Sequence, residues 1–172
     1  MPTPKPLPDS ILAPMSFPKL GGGTLEVGGS RDTWTLLVVY RGKHCPRCKR
    51  YLNTLSSMMQ DWDAAGFAVA VVSADPEEKA AADQAEFNWS FDLGYGLTED
   101  QMGTLGLYVS DPLSPEETDR RFAEPGVFVL RPDGSQIIVA ISNGPAVRPE
   151  LGELLDGMIF NKTNDRPTRG LG

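Results

Sequence analysis

Residues 33–52, TWTLLVVYRGKHCPRCKRYL, decide the fold of this chain. Residues 33–40 have the continuous apolar character of a buried strand in a parallel sheet, and a helical pattern follows them. The only two cysteines, Cys45 and Cys48, lie where the strand gives way to the helix. A thiol at the start of a helix meets unpaired N–H groups and the positive end of the backbone dipole, which favour the reactive thiolate.

The spacing of the two cysteines predicts different roles for them. Cys45 is expected at the mouth of the helix as the exposed nucleophile, with Pro46 at the first helical position, where an N–H would be unpaired. Cys48 falls on the apolar face of the helix and is expected to be the resolving thiol. The positive charges of Lys43 and Arg47 are expected to favour the Cys45 thiolate.

Other residues around the dithiol have two interpretations each. His44 either tunes Cys45 as a titrating neighbour or is a polar residue at the rim. Arg41, Lys49 and Arg50 form either a docking face for acidic partners or a solvated helix face. Tyr40 either lines the active-site groove or packs in the core.

The pattern of strands and helices predicts an α/β chain. A hairpin is expected over residues 17–29, a helix from Cys48 to Trp62, a second buried strand over residues 67–73, and a helix that begins with Asp75 as its N-cap. Thr98 and Gln101 have the spacing of a capping box.

The second half of the chain is expected to close the fold with a hairpin and a helix. Residues 110–124 are predicted to be a loop with one helical turn at residues 114–117. Two antiparallel strands are predicted over residues 127–130 and 136–141, around a Pro-Asp-Gly turn. A last helix is predicted over residues 148–160.

Length and composition favour a single domain. The chain has 172 residues, 40% of them hydrophobic, enough for one well-buried core. Its domain is predicted over residues 15–160, between a flexible proline-rich segment (residues 1–14) and a flexible tail (residues 161–172).

Charge and hydropathy exclude several classes of partner. The net charge of −7 argues against general nucleic-acid binding, which needs an extended basic face. Residues 41–50 nevertheless carry five basic side chains and no acid. The apolar runs are too short to cross a bilayer, and the chain does not open on a signal-like segment, so we expect no membrane partner and a cytoplasmic location.

The cysteine pair predicts redox chemistry more than metal binding. A disulfide across so short a loop would not staple the fold, and His44, which adjoins Cys45, is poorly placed to share a zinc ion with it. The remaining metal alternative is a zinc ion shared between two copies of the chain. We expect no metal and no cofactor, and the sequence makes no prediction for the oligomeric state.

Four stretches of the sequence resemble one known family. They are VVYRGKHCPRCKRYL, VSADP, LGLY and PGVFVLRPDG. Together they resemble the peroxiredoxin-like branch of the thioredoxin superfamily, the alkyl hydroperoxide reductase/thiol-specific antioxidant group, over roughly residues 15–158. The resemblance implies a thioredoxin-like fold: a central mixed β-sheet flanked by helices, here with an N-terminal hairpin extension.

The resemblance also identifies four positions that distinguish two chemistries. Peroxiredoxins have a Pro, a Thr or Ser, the peroxide-attacking Cys, and an Arg before a later strand. Here these fall on Arg41, Cys45, Cys48 and Pro125, so only the cysteine is kept. Thioredoxin-type proteins have Cys at the second position and a cis proline at the last, and we therefore expect Pro125 to be cis and to help bind an extended partner peptide.

Three functional hypotheses follow. The leading one is a thiol–disulfide oxidoreductase that acts on a protein or a small thiol or disulfide partner. The alternative is a peroxiredoxin-like thiol peroxidase that reduces hydroperoxides, with one cysteine attacking and the other resolving. The third is a redox-sensing interaction module without enzymatic activity.

Overall fold

A five-stranded mixed sheet forms the centre of the protein, whose computed structural model describes residues 7–172. The strands are β1 (Met15–Pro18), β2 (Thr24–Val27), β3 (Trp34–Val39), β4 (Phe67–Val72), β5 (Asp92–Gly94), β6 (Val109–Ser110), β7 (Phe122–Ala123), β8 (Gly126–Leu130) and β9 (Gln136–Ile141). The helices are α1 (Pro46–Ser57), α2 (Met59–Ala64), α3 (Glu77–Phe87), α4 (Glu99–Thr104) and α5 (Leu151–Thr163). Within residues 7–172, none of the helices is long and apolar enough to cross a membrane.

The central sheet has the order β5-β4-β3-β8-β9. Strand β3 pairs in parallel with β4 and antiparallel with β8, and β8 pairs antiparallel with β9. Because side chains alternate along a strand, β3 supplies Leu36 and Val38 to one core layer and Leu37 and Val39 to the other. This confirms the thioredoxin-like α/β fold with a mixed sheet.

The N-terminal hairpin is also confirmed. β1 and β2 pair antiparallel from Met15↔Val27 to Pro18↔Thr24. The hairpin joins the domain through backbone hydrogen bonds, from Leu20 N to Leu93 O and from Tyr95 N to Pro18 O. It therefore covers the β5 edge of the central sheet.

Two elements differ from the expected pattern. The predicted helix from Cys48 to Trp62 is two helices, which break at Met58. The Ser57 hydroxyl donates to the Thr54 carbonyl at 2.6 Å, a local bond that competes with helix continuation. Strand β5 was not predicted, because three residues are too few to show a period.

The N-terminal segment of residues 1–14 was predicted to be flexible, and residues 1–6 lie outside the described part. The rest of the segment is held against β9. The Asp9 amide donates to Gln136 O at 2.8 Å, and Leu12 is buried.

The tail of residues 161–172 also contacts the domain. Helix α5 continues to Thr163, beyond the predicted boundary. Further on, the Arg131 guanidinium donates to the Thr168 hydroxyl at 2.8 Å and to Arg166 O at 3.2 Å. The flexibility of the two ends stays a prediction.

The capping box of α4 is a test of local stability. The Thr98 hydroxyl accepts from Gln101 N, and the Gln101 side chain accepts from Thr98 N. Thr98→Ala is expected to lower the free energy of unfolding by about 1 kcal/mol, measured by urea denaturation. Thr104→Ala, in the same helix but without a capping role, is the control and should change it by less than about 0.5 kcal/mol. Equal effects of the two would contradict the capping role.

Candidate active site

Cys45 is the N-cap residue of α1, and its sulfur takes part in the cap. The Cys45 backbone is extended, and its Sγ accepts a hydrogen bond from the Cys48 amide at 3.3 Å. The helix begins at Pro46, which has no N–H to leave unpaired. Both thiols are free.

The expectation that Cys45 is exposed is wrong. Cys45 is 1% exposed and Cys48 is fully buried. To accept the amide hydrogen bond, the Cys45 side chain turns back over the first turn of α1, into the core layer that also holds Tyr40 and Val127. Charged neighbours in the sequence do not determine the direction of the Cys45 side chain, because the side chains of adjacent residues point in different directions from the backbone.

The two thiols titrate as a pair. A hydrogen bond from the Cys48 thiol lowers the pKa of Cys45, and the Cys48 amide and the Arg41 guanidinium lower it further, against the opposing effect of burial. The same thiol–thiol hydrogen bond, together with burial, raises the pKa of Cys48. The two opposite shifts favour ionisation of Cys45 before Cys48.

The cation that acts most on Cys45 is Arg41, where Lys43 and Arg47 were predicted. Arg41 forms ion pairs with Glu124 at 3.0 Å and with Glu117 at 3.8 Å. Glu124 is itself buried, and its other carboxylate oxygen accepts from a serine hydroxyl. The Arg47 side chain, by contrast, is exposed. Glu124 thus holds the guanidinium beside the dithiol.

A buried carboxylate shapes the loop between β3 and α1. Asp75 Oδ2 accepts from the Lys43 amide at 2.7 Å, and the Cys45 amide donates to Gly42 O at 3.1 Å. Gly42 has φ +133°, and a Cβ there would lie 2.7 Å from Asp75 Oδ1, so only glycine fits the turn. Burial raises the pKa of Asp75.

Asp75 was expected to cap α3, and that expectation is wrong. The N-cap of α3 is Pro76, with no side-chain hydrogen bond, because the Asp75 carboxylate is used by the active-site loop. Sequence reasoning missed this positioning role and that of Glu124. The only signal for Asp75 was its place in the VSADP stretch.

His44 packs against strand β7. Its ring meets the Phe122 ring edge-on, with centroids 4.5 Å apart, and its Nε2 is buried without a hydrogen-bond partner. Burial, and then the positive charge of Arg41, lower the pKa of His44, so the ring is neutral at neutral pH. Within residues 7–172, no three His, Cys, Asp or Glu side chains cluster as metal ligands.

The predicted loop of residues 110–124 lies against the segment that contains Arg41, Lys43 and His44. It starts in β6 and ends in β7, with a turn in which Glu117 N donates to Ser114 O. Lys79 of α3 reaches the loop, with Nζ 3.2 Å from the Thr118 hydroxyl. Between them lies a cavity of about 380 Å³, lined in part by Lys43 and His44.

The proposed docking face of three cations is not one surface. Arg41 is engaged with Glu124, and Lys49 lies 3.8 Å from the buried Asp83 of α3. Arg50 alone of the three is exposed. Tyr40, the candidate groove residue, is 1% exposed and packs edge-on against Trp89, so it belongs to the core.

The prediction of a cis bond at Pro125 is wrong, since residues 7–172 contain no cis peptide. Pro125 is buried between β7 and β8. Its carbonyl accepts from Ser142 N at 3.1 Å, and the Glu124 amide donates to Tyr108 O at 2.8 Å. Both backbone groups are therefore paired within the chain and not free for a partner peptide.

Comparisons with known proteins agree with this architecture. The chain has a TM-score of 0.75 and 15% identity with the crystal structure of a peroxiredoxin-like protein from Aquifex aeolicus, over 90% of this chain and 86% of that one. With AhpC of Mycobacterium tuberculosis the TM-score is 0.73 and the identity 13%, over 94% and 96% of the chains. No curated protein matches the sequence.

A family model agrees with the structural neighbours. The model of the AhpC/TSA family matches residues 6–139, well over half of the chain. The protein belongs to the AhpC/TSA family and is an antioxidant-class oxidoreductase with a thioredoxin-like fold.

Proposed function

We propose that this protein is a thiol-dependent peroxidase that reduces hydroperoxides with the Cys45–Cys48 dithiol. The observation that carries the proposal is the geometry of Cys45, whose almost completely buried Sγ accepts a hydrogen bond from the Cys48 amide at 3.3 Å. The Cys48 thiol, this amide and Arg41 lower the pKa of Cys45 and so favour the thiolate. Such a thiolate is the nucleophile that attacks a peroxide bond.

The proposed reaction has two steps on the enzyme. The Cys45 thiolate attacks one peroxide oxygen, the O–O bond breaks, and the leaving oxygen takes a proton to become an alcohol or water. Cys45 is then a sulfenic acid. The Cys48 thiol attacks its sulfur, water leaves, and an internal disulfide forms. Two thiols from an external reductant restore the dithiol.

Burial supports a small hydroperoxide over a protein disulfide as substrate. The two sulfurs are 1% and 0% exposed, so a folded partner cannot contact them without an opening of the site. The backbone at Pro125 is paired within the chain and offers no edge to an extended peptide. A hydroperoxide of a few atoms needs much less room.

Arg41 supplies the positive charge that the reaction needs. In the resembled family an arginine before a later strand helps to hold the peroxide, and here that position is Pro125. Arg41 precedes the dithiol in the sequence, whereas Pro125 follows it. The Arg41 side chain is held by an ion pair with Glu124 at 3.0 Å. Its guanidinium would stabilise the negative charge that develops on the leaving oxygen.

Thiol–disulfide exchange is the second candidate. The C-x-x-C spacing at the start of α1 favours it, because Cys48 lies one helical turn from Cys45 and can release a mixed disulfide. Under this function the protein would turn over glutathione disulfide or insulin and leave peroxide unchanged.

Serine variants of the two cysteines distinguish the candidates. Cys45→Ser is expected to abolish peroxide consumption. Cys48→Ser is expected to consume about one equivalent and then stop, because its sulfenic acid has no resolving thiol. Turnover by the parent chain and by Cys45→Ser is measured with a dithiol reductant. Cys48→Ser is measured without added reductant, which would otherwise reduce its sulfenic acid, and mass spectrometry distinguishes this sulfenic acid from the disulfide of the parent chain.

Parallel assays with glutathione disulfide and insulin complete this test. Rapid disulfide turnover without peroxide turnover would assign the protein to disulfide exchange. If neither substrate is turned over, the redox-sensing hypothesis is favoured. Full peroxide turnover by Cys45→Ser would mean that Cys48 is the attacking thiol.

The pH dependence of peroxide consumption tests the thiolate. Because the pKa of Cys45 is lowered, the rate is expected to hold as the pH falls through about 8.5, where an ordinary thiol gains its proton, and to fall only in more acid solution. The same shift stabilises the fold above the ordinary thiol pKa, and this contribution is lost as the pH falls through the folded-state pKa. A rate that follows an ordinary thiol would contradict the assignment.

Arg41→Gln is expected to raise the pKa of Cys45 and, at a pH below the Cys45 pKa of the parent chain, to lower the peroxide rate about tenfold for each pH unit of the rise. The thiolate absorbance gives the pKa directly. The double variant Arg41→Gln/Glu124→Gln is measured as well. It removes the buried Glu124 carboxylate together with the cation that pairs with it, so that no unpaired charge is left in the core. Arg47→Gln is the comparison: if it raised the pKa as much, Arg41 would not be the governing cation.

A further inference from the structure

A cavity of about 350 Å³ lies between α1 and the segment that leads into α5. Three arginines line it: Arg47 and Arg50 from α1, and Arg148 from the segment before α5. None of the three forms an ion pair with a carboxylate of residues 7–172. In a chain with a net charge of −7, this is a local concentration of uncompensated positive charge.

Arg148 is held in a fixed position in this cavity. Its guanidinium lies 4.4 Å from the centroid of the Tyr51 ring, and its Nη2 donates to Pro145 O at 2.6 Å. The Tyr51 hydroxyl in turn donates to Pro149 O at 2.7 Å. The other terminal nitrogen, Nη1, is buried and has no hydrogen-bond partner. This packing fixes the guanidinium at the wall of the cavity.

The one acidic residue of the cavity does not supply that acceptor. Glu150 caps α5, where its carboxylate accepts from Gly152 N at 3.0 Å and Glu153 N at 2.6 Å. Its negative charge is therefore directed at the helix terminus, and it forms no ion pair with the three guanidinium groups.

The cavity lies against the first turns of α1, the helix that carries Cys48. Arg47 lies between Cys45 and Cys48 in the first turn of α1. The positive charge of Arg148 also reaches Cys48, where it opposes the rise in the pKa that the Cys45 hydrogen bond and burial cause. An anion bound between Arg47 and Arg148 would lie against the helix that carries Cys48.

We propose that this arginine cavity binds the carboxylates of a small anionic thiol, which reduces the Cys45–Cys48 disulfide. The proposal rests on the proposed function in one respect, that the disulfide forms during turnover. One thiol attacks a disulfide sulfur to give a mixed disulfide and an enzyme thiolate. A second thiol then attacks the mixed disulfide, and the products are the enzyme dithiol and the oxidised small disulfide.

A small molecule fits this cavity better than an acidic protein does. The volume lies at the lower end of the range of small-ligand sites. Arginine forks bind carboxylates in two-point geometry.

Binding is tested first without any redox step. The probe is S-methylglutathione, which carries two carboxylates and cannot react, titrated into the full chain by calorimetry. We expect binding that weakens with added salt. Arg148→Gln and Arg50→Gln are each expected to weaken it about tenfold. Arg50 is exposed, so its variant keeps the test valid if loss of Arg148 disturbs folding. Arg169→Gln removes an exposed arginine of the tail and should bind as the parent chain does.

Kinetics then test the link to the dithiol. The rate of disulfide reduction is measured with glutathione and with the cationic thiol cysteamine. The rate with glutathione is divided by the rate with cysteamine, after each is corrected for the thiolate fraction of that thiol. This ratio is expected to fall about tenfold in Arg148→Gln and Arg50→Gln and to stay unchanged in Arg169→Gln.

Two results would overturn the proposal. One is absence of S-methylglutathione binding, or equal binding by all four proteins. The other is an unchanged thiol ratio, with a lower rate only for an acidic protein reductant, which would mean that the cavity serves a macromolecule. Because calorimetry needs no peroxide, failure of the peroxidase function would leave the binding result intact, and the two failures are distinguishable.

Discussion

The hydrogen bond from the Cys48 amide to Cys45 Sγ is the interaction on which the chemistry of this molecule depends. At 3.3 Å it uses one of the unpaired donors of the helix start to hold a sulfur in its ionised form. The same bond turns Cys45 inward, so that the sulfur joins the core and loses contact with solvent. This bond therefore contributes both to the reactivity and to the burial of Cys45, and the substrate that reaches such a sulfur most readily is a small one.

Distant parts of the chain keep that geometry in place. Asp75, at the end of β4, binds the Lys43 amide and lies against Gly42, which fixes the turn before the helix. Glu124, next to β7, holds Arg41 beside the thiolate. The central sheet makes both contacts possible, because β3 lies between β4 and β8 and so brings the two carboxylates to the loop that follows it.

Much of the fold could be predicted from local patterns. The apolar runs of β3 and β4, the hairpin of β1 and β2, and the Thr98–Gln101 capping box depend on residues a few positions apart, and their spacing is visible in the sequence. The break at Met58 and the short strand β5 were missed. A serine that bonds its own helix and a strand of three residues leave no periodic signal, and their structure depends on what packs beside them.

By itself the sequence determined that two thiols stand at a strand-to-helix junction with basic residues around them, and that the chain has the motifs of a thiol-dependent antioxidant family. These properties follow from order and spacing. The tertiary structure alone decided that Cys45 is buried, that Arg41 and not Arg47 is its main cation, and that Pro125 is trans. The reason is that burial and charge at a sulfur are sums over neighbours in space, and here the carboxylates that position the loop and Arg41, those of Asp75 and Glu124, are far from Cys45 in the sequence.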